Sequence, residues 1–209
     1  VKTPGFDDLV WIGELAVPFL ADAIDQREDD LDSVSLLTNV ITTIGGDEAA
    51  KFLDQVFPSK DVLFRRAVVK GMQHSVNLSR EPLHARLVRF ANDADAAIQV
   101  DVLDRMGSLL TDEECAPLLD DPDAAVRVKA LATFRWRQLE SPAAVASLER
   151  VIRQALASDR SQWSAATEVL GGPSILLTRP GVEVYLRILA EAADHPEWPT
   201  DWASSATTA

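Results

Sequence analysis

One cysteine, one tyrosine and three histidines stand among 209 residues, and no apolar run reaches the roughly 18 residues that cross a bilayer as a helix. Each scarcity removes a class of explanation. Cys115 alone excludes an internal disulfide framework and a cysteine-rich zinc site, and in the apolar stretch "CAPLL" it reads as a packed small hydrophobe. His74, His84 and His195 are scattered, and none has a second histidine at the one-turn spacing of a metal pair, so no metal is expected. Basic residues are few, 20 against 33 acids, and the net charge of −13 disfavours nucleic acid, whose binding needs phosphates neutralised by Lys and Arg. Glycine-rich phosphate loops are missing too. "IGGDEA" at 44–49 and "LGGPS" at 170–174 put glycines where helices end, so no cofactor is expected. No segment alternates apolar and polar residues as a half-buried strand does, and "SILLT" at 174–178 is the only short run that could suggest one. The fold class is therefore all-α. No basic leader with an apolar segment opens the sequence, and with a single cysteine the expected setting is a reducing cytoplasm.

What the chain has is a repeat. At 47% hydrophobic content, 209 residues suffice for a full core. From Asp123, "DAAVRVKALATF" places Val126, Ala130, Leu131 and Phe134 at helical spacing behind an acidic first residue. The template recurs from Asp61 with Phe64, Val68, Val69 and Met72, and from Asp95 with Ile98, Val102, Leu103 and Met106. From Ser33 it supplies Leu36, Val40, Ile41 and Ile44. Starts at 33, 61, 95 and 123 suit a two-helix repeat. A second amphipathic segment follows each copy, beginning near Asp47, Ser79, Thr111 and Ser141, the last three read as helix caps. A weaker copy begins near Asp159, and "DDLVWIGELAVPFLADAI" at the front reads as a unit whose first helix is missing or shortened.

On these residues, and above all on "DDPDAAVRVKAL" at 120–131, the chain resembles the HEAT-repeat family over about residues 10–193, notably its bacterial short-repeat branch related to phycocyanobilin lyases. The resemblance implies a right-handed α-solenoid of about five to six stacked antiparallel helix pairs. One solenoid domain is expected over 1–193; the tail at 194–209, with two prolines around Trp198 and no base after Arg187, should not continue the helix stack, and Trp198 or Trp202 is expected to be held against the solenoid or a neighbour. The HEAT resemblance bears on the stack before it. It also implies an Asp in the inter-helix turn and an Arg six residues later that link neighbouring units. Asp121 and Arg127 match that pattern. Asp93 has Gln99 where the Arg is expected, and Arg65 has Ser59 where the Asp is expected.

Charge along the chain is uneven. Residues 1–60 hold twelve acids against four bases, whereas 123–160 hold four acids against seven bases. The basic stretch carries Arg135, Trp136, Arg137, Arg150 and Arg153, with Trp163 beyond, and Arg86 and Arg89 occupy a similar second-helix face two units earlier. In HEAT proteins second helices line the concave groove, so Arg86, Arg89, Arg135, Arg137, Arg150, Arg153 and Trp163 become candidate contacts for an acidic peptide or a phosphate group. The leading expectation is a non-catalytic scaffold that binds a protein or peptide. The rival is an enzyme of the HEAT-like alkylpurine DNA glycosylase type, against which the net charge speaks. A lyase-like chaperone for a tetrapyrrole ranks third, with no chromophore-handling residue matched.

Overall fold

The computed structural model describes residues 10–27, 29–58, 61–136, 141–157, 163, 166–167, 169–170 and 178–198. Among them every regular element is helical, with no strand. We number the α-helices α1 (Val17–Asp25), α2 (Leu31–Ile44), α3 (Gly46–Val56), α4 (Val62–Met72), α5 (Leu83–Ala91) and α6 (Ala96–Met106), then α7 (Asp112–Cys115), α8 (Ala124–Thr133), α9 (Pro142–Ala157) and α10 (Arg179–Ala192). No described helix is long and apolar enough to cross a membrane.

Aspartate carboxylates start four of these helices. Asp30, Asp61, Asp95 and Asp123 accept hydrogen bonds from the otherwise orphaned amides of the first turns of α2, α4, α6 and α8. The Ser33 start is thereby corrected to Asp30, which accepts from both the amide and the hydroxyl of Ser33. With that shift Leu36 turns to solvent at 61% exposure, and the buried stripe of α2 runs through Val34, Thr38 and Ile41. Thr111 forms a reciprocal capping box with Glu114, as its sequence suggests. Ser79 does not cap α5. It closes a 3-10 turn, Val76–Ser79, that Ser75 caps, and α5 starts after Pro82.

The chain divides into two compact units, Val1–Leu109 and Leu110–Ala209, the boundary falling inside the 1–193 stretch. In the first unit α2 packs on α4 and α4 on α6, while α1 packs on α3 and α3 on α5. Two rows result, each joining helices next but one in the chain. Ile41, Val68, Val69, Met72, Ile98 and Val102 fill the first row, and Ile24, Leu53, Leu87 and Phe90 the second, all buried. Gly71 lets α4 approach α2 closely: a Cβ there would meet the Ser35 carbonyl oxygen and lie 2.7 Å from the Thr38 Cβ. Gly45, which follows α2, and Gly46, which opens α3, both have φ of 76°, which only glycine adopts without strain, and a Cβ on Gly46 would collide with the Glu14 carboxylate.

In the second unit α7 runs into a 3-10 stretch, Ala116–Asp120, on which both α8 and α9 pack, and α9 packs in turn on α10. Cys115, Leu119, Val126, Phe134, Leu148, Ile152 and Ile188 are buried there, so Cys115 is indeed a core side chain. Trp198 is buried and lies flat on His195, with ring centroids 4.6 Å apart. Residues 199–209, with Trp202, are outside the described set.

Candidate functional site

In each unit one helix carries the candidate arginines, α5 in the first and α9 in the second, and each arginine meets a carboxylate from another helix. In the first unit, Arg86 and Arg89 stand nearly one turn apart on α5 and converge on Asp54 of α3, at 2.6 and 3.3 Å. Arg89 also covers the Phe57 ring at 3.7 Å, and Phe57 packs on Phe90. In the second unit, Arg150 of α9 grips both oxygens of Asp120, its Nη2 donating at 2.6 Å. Arg153 donates to Glu191 of α10 at 2.7 to 3.1 Å and pairs with Glu149 one turn back at 2.8 Å. Glu149 accepts in addition from Arg187 of α10, at 2.7 and 2.5 Å.

Trp163 is half-buried and donates its indole N–H to the Leu156 carbonyl near the end of α9, at 3.1 Å. Arg135 is half-buried in the 3-10 turn Phe134–Trp136. Arg137 lies outside the described residues. Sequence reasoning found the cations but missed Asp54, Asp120, Glu149, Glu191 and Arg187, although each carboxylate has an arginine partner 30 to 38 residues away, about the length of a repeat.

The inter-helix turns hold a second arrangement, buried at Arg65 and Asp93. Asp93 and Asp121 each accept from the amide two residues on, Asp95 and Asp123, at 2.8 Å. Arg65 reaches forward 28 residues to Asp93 at 3.2 Å, the two side chains only 10% and 4% exposed. The copies that looked incomplete thus supply one partner each. Arg127 donates to the backbone carbonyls of Asp121 and Pro122, at 2.7 and 2.8 Å. Ser59 lies outside the described residues.

Charge pairing shifts the carboxyl groups in one direction. The Arg187 hydrogen bond holds Glu149 below the ordinary glutamate range, Arg153 does the same for Glu191, and Arg150 lowers Asp120. A carboxyl whose folded value lies below its unfolded one adds stability above the unfolded value, and the contribution fades as pH falls through the folded one. Thermal unfolding should therefore move to lower temperature below about pH 4.3, the ordinary glutamate value, and Glu149→Gln should flatten that acid limb. A Glu149→Gln profile as steep as that of the parent would count against this network.

Among the described residues no group of three or more His, Cys, Asp or Glu could hold a metal ion. No protein-family model, curated protein or solved structure matches the chain.

Proposed function

We propose that the chain is a non-catalytic, HEAT-like α-solenoid scaffold of the cytoplasm that holds a protein or peptide partner on its second-helix face. The observation that carries this reading is the recurrence of arginine–carboxylate pairs between α3 and α5, between α9 and Asp120, and between α9 and α10. Pairs repeated at repeat length are what stacked units with nearest-neighbour contacts produce. They also preorganise the guanidinium groups. A half-exposed arginine held by one carboxylate keeps further N–H donors for a partner's carboxylate or phosphate, and its planar fork suits both. The same pairs weaken the case for a DNA groove, because Asp54, Asp120, Glu149 and Glu191 offset the positive field that phosphate binding requires.

Two variants test the face, Arg86→Ala with Arg89→Ala in the first unit and Arg150→Ala with Arg153→Ala in the second. With the purified chain as bait, at least one should retain about tenfold less of the partners that cross-linking and mass spectrometry identify on the parent protein, in line with charged contacts at interfaces. Equal capture by all three proteins removes this face from the reading. A clear shift of duplex DNA at low salt replaces it with the DNA-binding one.

A further inference from the structure

Four of the nine large apolar side chains left exposed among the described residues lie between Trp11 and Phe19. Trp11 is 87% exposed, Leu15 78% and Phe19 76%, with Ile12 between them at 44%. The inward face of this segment is fully used: Ala16, Val17, Leu20 and Ile24 are buried, and α1 packs on α2 and α3. Leu15 and Phe19, one turn apart, therefore look away from the core. Scattered exposed apolar residues are ordinary, but four large ones within nine residues, two of them aromatic, are a concentration of the kind that marks an interaction site.

Charge selects the occupant. Glu14, Asp22 and Asp25 are exposed on the same segment, and residues 10–25 contain no Lys or Arg. Asp22 also borders an open groove of about 180 Å³ between α1 and α3, next to Pro18 and Phe52. The cation there, Lys51, is held by Glu48 at 2.5 Å. A second copy of this face would bring like charges together around apolar side chains, and an anionic membrane would be repelled in the same way. A helix with an apolar stripe flanked by Lys or Arg satisfies both halves of the surface at once.

We infer that Trp11, Ile12, Leu15 and Phe19, with Asp22 and Asp25, form a docking surface for a basic amphipathic helix of a partner protein. This surface shares no residue with the arginine pairs and takes the opposite charge, so it stands or falls independently of the function proposed above. The apolar stripe supplies most of the affinity, and the carboxylates supply orientation, on-rate and salt dependence.

The probe is a fluorescently labelled helical peptide of about 18 leucines and lysines with one leucine face, compared by anisotropy with a counterpart carrying Glu for every Lys. The full chain should bind the lysine peptide with micromolar affinity, more weakly as salt rises. Leu15→Ser with Phe19→Ser should weaken it about tenfold or more, and Asp22→Asn with Asp25→Asn should weaken it and flatten the salt dependence. All four positions are exposed, and an unchanged circular dichroism spectrum confirms that each variant is folded. Unaltered binding by the Leu15 and Phe19 variant overturns the inference, as does equal binding of the glutamate peptide. So does capture of phosphatidylserine vesicles by the same residues, or a dimer in sedimentation that Leu15→Ser with Phe19→Ser dissociates.

Discussion

Asp93→Ala should lower the stability of the chain by about 3–5 kcal/mol, the cost of breaking a buried ion pair from one side. The Arg65 guanidinium sits at 10% side-chain exposure with the Asp93 carboxylate 3.2 Å away, and alanine takes that carboxylate from a buried charge. It also removes the acceptor of the Asp95 amide, which holds the turn ahead of α6. Two effects thus fall on one residue. A companion variant separates them: Arg65→Met with Asp93→Asn removes the charge and leaves a side-chain oxygen for the Asp95 amide. Its loss should be less than half that of Asp93→Ala, because a buried pair replaced by side chains of similar volume is often near neutral. Urea midpoints of the two proteins decide the matter. If the double variant is as unstable as Asp93→Ala, the pair is not the source of the loss.

Gly71→Val should cost about 3 kcal/mol, at the upper end of what overpacking a core exacts. Any Cβ at this position meets the Ser35 carbonyl and the buried Thr38 side chain, so the clash falls partly on backbone, which cannot rotate away. α4 would have to move off α2, separating Val68 and Met72 from the stripe of Val34 and Ile41. The better helix propensity of a non-glycine residue, worth less than about 1 kcal/mol for valine, does not offset this. Lys70→Ala, one residue earlier and exposed, is the control and should lie within about 0.5 kcal/mol of the parent. A Gly71→Val protein as stable as the control would mean that α2 and α4 part at little cost.

Helix starts were readable wherever an aspartate cap preceded an unbroken apolar stripe, as at Asp61, Asp95 and Asp123. The first copy escaped that reading because two of its buried positions are threonines. Thr42 turns its hydroxyl onto the Thr38 carbonyl, 2.9 Å away, and so enters the core as a polar residue with its hydrogen bond made inside its own helix. Apolar counting passes over such a position and settles on exposed Leu36 instead. Ser79 misled for another reason. A serine with Glu and Pro within three positions after it has the look of a cap, but Ser75 already turns the chain by accepting from the Asn77 amide and donating to the Thr42 carbonyl. At the candidate face the arginines stood out by charge, yet their partners did not. Asp54 and Glu149 acquire meaning only when helices a repeat apart come side by side, and no local pattern encodes that register.

The ion pairs described between different helices all join residues 28 to 38 positions apart, and the helix rows of the first unit join elements next but one in the chain. Low contact order follows from that geometry. Little loop entropy is lost before such a contact forms, so within each unit helix pairing proceeds from neighbour to neighbour along the chain.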